Sequence, residues 1–126
     1  MMTRRTFATA LAAGIAAVTL ATQAMAAGAT ENPVRNIVFV HGLFADGSSW
    51  SDVVAILQKK GFHTTSVQNP LTNFPAAVDS VERVLDRQDG PTILVGHSFG
   101  GMLVTQTGTH PNVSALVYVA ARAPDA

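Results

Sequence analysis

The sequence predicts an α/β fold in which a parallel β-sheet has flanking helices. Short, apolar, β-branched runs alternate with segments of helical periodicity in the order β-α-β-α-β-α-β. Glycine, proline or a capping residue bounds the helical segments. No segment repeats with a period of about 20–50 residues, which excludes a solenoid. Strands that alternate with helices in this way form a parallel sheet covered on both faces and joined by right-handed crossovers.

The first strand and helix are predicted between residues 36 and 61. Asn36–Val40 is apolar and β-branched, as is typical of a buried parallel strand, and a loop with two glycines follows over His41–Ser48. Ser49 and Asp52 form a Ser-x-x-Asp pattern that predicts the helix start, and Gly61 predicts its end. One face of this helix is apolar, with Trp50, Val53, Val54 and Leu57.

The second strand and helix follow as a weaker and a stronger pattern. Thr64–Gln68 is rich in threonine and valine and is broken by Asn69-Pro70, which predicts a short strand. A helix is predicted to start near Asn73 and Pro75 and to end by Gly90-Pro91. Its apolar face contains Phe74, Ala77, Val78, Val81, Val84 and Leu85.

The last part of the chain repeats the alternation. Thr92–Val95 predicts a third strand, and the small residues of Gly100–Thr109 predict a helix that Pro111 closes. Val113–Val119 predicts a fourth strand. Functional sites of open α/β sheets lie at the carboxyl ends of such strands, so the loops there are where chemistry is expected.

Composition excludes several classes of function. The chain has 126 residues, enough for one domain at most, and 48% of them are apolar, which argues against disorder. Eight basic residues balance eight acidic ones, so no nucleic-acid partner is expected. The absence of cysteine removes disulfides and thiolate nucleophiles, and four scattered histidines without a close pair predict no metal site.

Residues 1–26 have the pattern of an export signal. Arg4 and Arg5 form a basic start, Ala10–Leu20 is apolar, and Ala24-Met25-Ala26 supplies the small residues that signal peptidase requires. The apolar run is shorter than the ~20 residues that span a bilayer, so no permanent membrane anchor is expected. The paired arginines resemble a twin-arginine signal. Residues 27–126 are then a partial domain that acts in the periplasm or as a secreted protein.

The strongest motif is Gly96-His97-Ser98-Phe99-Gly100, between an apolar strand and a helix. A serine in so tight a turn is expected to adopt a strained backbone that exposes its hydroxyl above the sheet. The two glycines are expected where neighbouring backbones leave no room for a Cβ. A phosphate-binding turn is the alternative, but the segment lacks the lysine of a P-loop and the glycine spacing of a dinucleotide fingerprint.

A second motif, His41-Gly42-Leu43-Phe44, ends the first strand. Glycine allows a sharp turn there, so that the N–H of Leu43 or Phe44 can face Ser98. Alone, this pattern is typical of an ordinary turn. Upstream of a serine elbow, it is the expected second half of an oxyanion hole.

Four segments together resemble the α/β-hydrolase superfamily, most closely its small exported esterase-like members. The resemblance covers residues 35–126 and implies a truncated α/β-hydrolase core with Ser98 as nucleophile. It implies that the N–H groups of Leu43 and Phe99 bind the oxyanion, and it implies no cofactor. It also implies that five residues support the elbow and the oxyanion loop: His41, Gly42, Gly96, His97 and Gly100. The segments are residues 41–50, Gln68-Asn69-Pro70-Leu71, residues 96–101 and residues 116–121.

The resemblance also predicts an acid and a base beyond the serine, in the order Ser, Asp or Glu, His. The sequence ends 28 residues after Ser98, and no histidine follows Pro111, so both groups are expected to be missing from this chain. His41 is the alternative base, since its strand should neighbour that of Ser98, although the resemblance implies a structural role. His63 and His110 should lie at the opposite edge of the sheet. Met102 and Phe99 are expected in the core or the pocket wall.

Three functions follow as hypotheses. The first is hydrolysis of small carboxylic esters through an acyl-enzyme on Ser98. The second is cofactor-free peroxidase or lyase chemistry on the same elbow. The third is a non-catalytic fragment or pseudo-enzyme of the fold.

We predict cleavage between Ala26 and Ala27, because the small side chains before that bond suit signal peptidase. N-terminal sequencing of exported protein should begin at Ala27. Replacing Arg4 and Arg5 together by lysine should abolish export if the twin-arginine route is used. Undiminished export of the double variant would instead indicate the general secretory route.

Overall fold

The computed structural model describes residues 32–121 and residue 123. The export signal predicted over residues 1–26 lies outside this part of the chain. Within it the element order is β-α-β-α-β-α-β, as the sequence predicts. Strands β1 to β4 are Asn36–Val40, His63–Val67, Thr92–His97 and Val113–Val119. Helices α1 to α3 are Ser51–Lys59, Phe74–Leu85 and Gly100–Thr107, and a 3-10 turn, Gly47–Trp50, precedes α1.

The four strands form one parallel sheet in the order β2-β1-β3-β4, which confirms the predicted fold class. Val40 at the end of β1 is level with Val67 of β2 and with Gly96 of β3. On the other side of β3, Gly96 is level with Tyr118. The carboxyl ends of β1, β3 and β4 therefore lie side by side at one edge of the sheet.

Helices pack on both faces of β1, and every residue of this strand is therefore buried. On one face, Val38 and Val40 belong to a cluster with residues of α2 and α3, among them Val81 and Leu103. On the other face, Ile37, Phe39, Trp50 and Val95 are packed with Val54 and Leu57 of α1. Because alternate residues of one strand point into the two clusters, the strand carries an unbroken apolar run rather than an alternating one.

The start of the first helical segment differs from the prediction. Asp46, not Ser49, caps the 3-10 turn, and its Oδ1 accepts a 2.8 Å hydrogen bond from the Ser48 amide. The Ser49 hydroxyl donates to the Asp46 carbonyl instead of capping α1, so the predicted Ser49–Asp52 helix start is wrong. Hydrogen bonds from the side chain and the amide of Ser48 hold the pKa of Asp46 below its ordinary value.

The second helix starts as predicted. The Oδ1 of Asn73 accepts a 2.9 Å hydrogen bond from the Ala76 amide. Pro75 occupies the first turn, where a backbone N–H would have no acceptor within the helix, so the N–H that proline lacks is not missed. The remaining bounds differ from the prediction by one or two residues at most, apart from the end of α2 at Leu85.

None of the helices in this part of the chain is long and apolar enough to cross a bilayer.

Strand β4 forms an edge of the sheet in the described part of the chain. Leu116, Val117 and Val119 are each between 37% and 41% exposed, whereas all of β1 is buried. Both faces of β4 carry apolar side chains, and one row of its backbone groups has no neighbouring strand here. Such an edge is a template for pairing with another chain.

We predict that the 126-residue chain, expressed alone, self-associates through β4. Replacing Val117 by lysine should shift size-exclusion chromatography toward the monomer, because a charge on an edge strand opposes pairing. Ala55→Lys adds the same charge to the exposed face of α1 and should leave the oligomer unchanged. A monomeric parent chain, or equal behaviour of the two variants, would contradict this role for β4.

Candidate active site

A pocket of about 370 Å³ lies at the carboxyl ends of three strands. Its wall comes from the segments that follow β1, β3 and β4, which the parallel sheet brings together. Among the described residues, no lining side chain carries a charge, and Ser98 supplies the only side-chain hydroxyl. The lining residues are Leu43, Ser98, Phe99, Met102, Ala120 and Ala121.

Ser98 lies between β3 and α3 with a backbone φ of 50°. An L-residue adopts this left-handed conformation only under strain, and surrounding contacts must hold it. Here the Ser98 N–H donates to the Val119 carbonyl at 3.2 Å, and the Ser98 carbonyl accepts from the Gly101 N–H at 2.9 Å. The backbone of the serine is thus tied both to β4 and to the first turn of α3, and its side chain remains exposed.

The glycines of the motif lie where backbones touch. A Cβ on Gly96 would lie 2.6 Å from the Gly100 carbonyl oxygen, and a Cβ on Gly100 would lie 2.5 Å from the Val40 carbonyl oxygen. A Cβ on Gly42 would lie 3.1 Å from the Cβ of Ser98. The serine elbow therefore closes directly onto the end of β1, with no side chain between them.

Two backbone donors beside Ser98 lack an acceptor. Neither the Leu43 N–H nor the Phe99 N–H donates a hydrogen bond to any other residue of the described part. Phe99 immediately precedes α3, where the first N–H groups have no intrahelical partner. Leu43 and Phe99 both line the pocket, so the two free donors belong to the segments that surround the serine.

His41 is buried and uses both ring nitrogens on backbone groups. Its Nδ1 lies 2.8 Å from the Gly42 carbonyl oxygen, and its Nε2 accepts from the Asn69 N–H at 3.2 Å. The alternative in which His41 serves as the general base is therefore wrong, because neither nitrogen is free to accept the serine proton.

The other three histidines lie in different surroundings. The ring of His97 packs edge-on against Trp50, with centroids 6.4 Å apart. His63 begins β2 at the amino end of the sheet, and the Nε2 of His110 lies 3.0 Å from the Asp86 carboxylate. In residues 32–121, no histidine hydrogen-bonds to Ser98, and no three potential metal-ligating side chains converge.

A family model described as the alpha/beta hydrolase family matches residues 37–126. The chain belongs to the alpha/beta hydrolase family. It is similar to the pyrethroid hydrolase of Sphingobium wenxiniae (strain DSM 21828 / CGMCC 1.7748 / JZ-1), with 28% identity over 101 residues, which cover 70% of this chain and 36% of that protein.

Two solved structures of alpha/beta hydrolases resemble this chain. One is polyneuridine aldehyde esterase, with a TM-score of 0.67 and 25% identity over 74% of this chain and 42% of that one. The other is the pyrethroid hydrolase PytH with BIF, with a TM-score of 0.64 and 26% identity over 71% of this chain and 41% of that one. The chain thus spans roughly four-tenths of the length of these relatives.

Strained backbone is concentrated around the pocket of this alpha/beta hydrolase chain. Phe44 and Ala120 share the left-handed conformation of Ser98, with φ of 59° and 45°. Each of the three follows a different strand at the same edge of the sheet. The sequence did not predict the positive φ of Phe44 and Ala120, because neither residue type indicates one, whereas Gly-x-Ser-x-Gly predicted the strained backbone of Ser98.

Large apolar side chains are exposed at and beside the pocket. Met102 of the wall is 54% exposed and Phe44, which follows the lining Leu43, is 98% exposed, although residues of these types are usually buried. The ring of Phe99 packs edge-on against Phe74, with centroids 6.3 Å apart. Met102 and Phe99, which the sequence left between core and pocket, therefore both belong to the pocket wall.

We predict that Gly100→Ala lowers the free energy of unfolding by about 1–3 kcal/mol, because the new Cβ meets the rigid carbonyl of Val40. Gly90→Ala is the matched control, since nothing lies within 4 Å of a Cβ there. Urea denaturation should find the control within about 1 kcal/mol of the parent. Equal stabilities of the two variants would show that the elbow does not close on β1 as described.

Proposed function

We propose that this protein hydrolyses carboxylic esters through an acyl-enzyme on Ser98. The observation that carries the proposal is the exposed Ser98, held at a positive φ in a pocket where two backbone donors have no acceptor among the described residues. Family membership supports a hydrolase, and the backbone geometry supports a serine nucleophile with an oxyanion hole.

The Oγ of Ser98 attacks the ester carbonyl carbon while a histidine takes the hydroxyl proton. The carbonyl oxygen becomes an oxyanion, and the N–H groups of Leu43 and Phe99 donate hydrogen bonds to it. The alcohol leaves with the proton from the histidine, and an ester between Ser98 and the acyl group remains. Water then attacks this ester by the same path and releases the carboxylic acid.

The histidine and its carboxylate partner come, in this proposal, from outside the 126 residues, which span only about four-tenths of the relatives' length. Both nitrogens of His41 are already used, which removes His41 as the base. The similar PytH structures include one variant with a serine and one with a histidine replaced by alanine. These substitutions fit a reaction that depends on both residue types, as the superfamily order of triad residues requires.

The substrate class follows from the wall of the pocket. Leu43, Phe99 and Met102 offer apolar surface, and Ala120 and Ala121 leave space beside the serine. A charged substrate group would lose its hydration here without gaining a charged partner among the described lining residues, so the proposed substrate is an uncharged small ester with an apolar group. Names of two relatives, a pyrethroid hydrolase and an aldehyde esterase, agree with this class. No nucleic-acid partner or cofactor is part of the proposal.

The proposed place of action is the periplasm or the extracellular space. The support is the basic start, apolar run and small-residue cleavage pattern of residues 1–26. The mature chain would begin at Ala27 and carry the partial hydrolase domain over residues 27–126.

We predict that a fluorophosphonate probe labels Ser98 in the longest product that the gene encodes, because the probe phosphonylates activated serines. Peptide mass spectrometry should find the adduct on Ser98, and Ser98→Ala should lose it. Ser114→Ala, on the exposed face of β4, should keep it. Ester turnover that persists in Ser98→Ala would contradict the assignment. Turnover of a peroxide or a cyanohydrin without labelling would favour the peroxidase or lyase alternative.

We also predict that the 126 residues expressed alone hydrolyse p-nitrophenyl acetate poorly. Without a base, Ser98 keeps an ordinary hydroxyl, and an oxyanion hole alone gives only about 10³-fold over water. The rate should be the same in Ser98→Ala within a few-fold. A rate typical of complete esterases that disappears in Ser98→Ala would show that the chain carries its own base.

A further inference from the structure

The two hydrogen bonds of His41 specify one form of its ring. A backbone N–H can only donate, so the Nε2 that faces the Asn69 amide must carry the lone pair. A carbonyl oxygen can only accept, so the Nδ1 that faces Gly42 must carry the proton. Both bonds exist together only in the neutral imidazole with hydrogen on Nδ1, and burial keeps water from competing for either nitrogen.

The Gly42 carbonyl that this ring holds belongs to the same peptide unit as the Leu43 N–H. A trans peptide is planar, and its C=O and N–H point in opposite directions. A bond that fixes the Gly42 oxygen toward the buried ring therefore fixes the Leu43 hydrogen away from it. Leu43, to which this N–H belongs, lines the pocket together with Ser98.

This peptide needs an external restraint because of the residue that precedes it. Glycine suits position 42, since a Cβ there would make tight contacts of 3.1 Å with both Ser98 Cβ and His97 Nδ1. Glycine also leaves the following peptide free to rotate into conformations that other residues avoid. Space beside the nucleophile and freedom of the donor peptide thus come from the same missing Cβ.

We propose that His41 is a positioning residue that locks the Gly42–Leu43 peptide, with the Asn69 amide fixing the ring, so that the Leu43 N–H stays directed at the oxyanion. This inference rests on the proposed function, because it gives Leu43 the donor role. His41 touches no reacting atom and transfers no proton. His41 increases the fraction of molecules in which the Leu43 N–H faces the pocket when the transition state forms.

Substitution of His41 by asparagine or by glutamine preserves a different one of its two hydrogen bonds. The side-chain nitrogen of asparagine occupies the place of Nδ1, so His41→Asn keeps a donor for the Gly42 carbonyl and loses the acceptor for Asn69. The side-chain oxygen of glutamine reaches the place of Nε2, so His41→Gln keeps that acceptor and loses the donor. Each variant leaves one buried backbone group unpaired, so the two are matched in the number of bonds lost.

The test compares kcat, KM and melting temperature of both variants in the longest product that the gene encodes, with p-nitrophenyl butyrate as substrate. His41→Gln should lose about 10- to 100-fold in kcat, while His41→Asn loses less than about fivefold, and KM should change little in either. Their melting temperatures should fall by similar amounts. Equal losses of kcat, or losses that follow the melting temperature, would overturn the lock and leave His41 a structural residue.

Two further readouts separate this inference from the proposed function. In the native protein, ¹⁵N-edited NMR of the His41 ring should show the neutral form protonated at Nδ1, and the Nε2-protonated form would overturn the lock. Fluorophosphonate labelling of Ser98 should occur in the native protein and in His41→Asn, and more slowly in His41→Gln. A native protein without labelling or turnover would overturn the proposed function and with it the positioning role.

Discussion

The site depends on the close approach of two backbones, the end of β1 and the start of α3. Gly100 lies so near the Val40 carbonyl that no other residue fits, and Gly96 lies equally near Gly100. This contact brings the serine elbow against the loop that leaves β1. With the elbow seated there, Gly42 meets Ser98, and the donors of Leu43 and Phe99 flank one pocket. A bulkier residue at any of these glycines would separate the nucleophile from the donors.

The strain at this edge is held by the sheet beneath it. Phe44, Ser98 and Ala120 all adopt a positive φ, a conformation that costs about 1–3 kcal/mol per residue. Below them β1 is wholly buried, with one cluster against α2 and α3 and another against α1. The layers oppose relaxation of the turns, since a shift of β1 would disturb the packing on both faces. A stable core and a strained rim are thus parts of one arrangement.

Local sequence patterns correctly predicted the strand bounds and the helix cap that depend on only a few neighbouring residues. Asn36–Val40 and Val113–Val119 have the predicted bounds, and Asn73 caps α2 as expected. The predicted start of the first helix was wrong because Asp46 and Ser49 are both capping residue types, and spacing alone does not rank them. In the structure Asp46 accepts from the Ser48 amide, whereas the Ser49 hydroxyl donates to the Asp46 carbonyl. The hydrogen bonds of His41 could not be predicted from the sequence, because one partner, the Asn69 amide, lies 28 positions away and after the neighbouring strand. Positive φ at Phe44 and Ala120 likewise arises from tertiary packing rather than residue type.

We propose that the elbow and the loop after β1 together form an oxyanion hole around Ser98. A crystal structure of the protein phosphonylated at Ser98 would show this hole occupied, because the phosphoryl oxygen stands where the oxyanion forms. We expect that oxygen within about 2.7–3.1 Å of both the Leu43 and the Phe99 nitrogen, with the ring of His41 still on the Gly42 carbonyl. A phosphoryl oxygen that faces solvent, or that is held by other groups, would contradict the account.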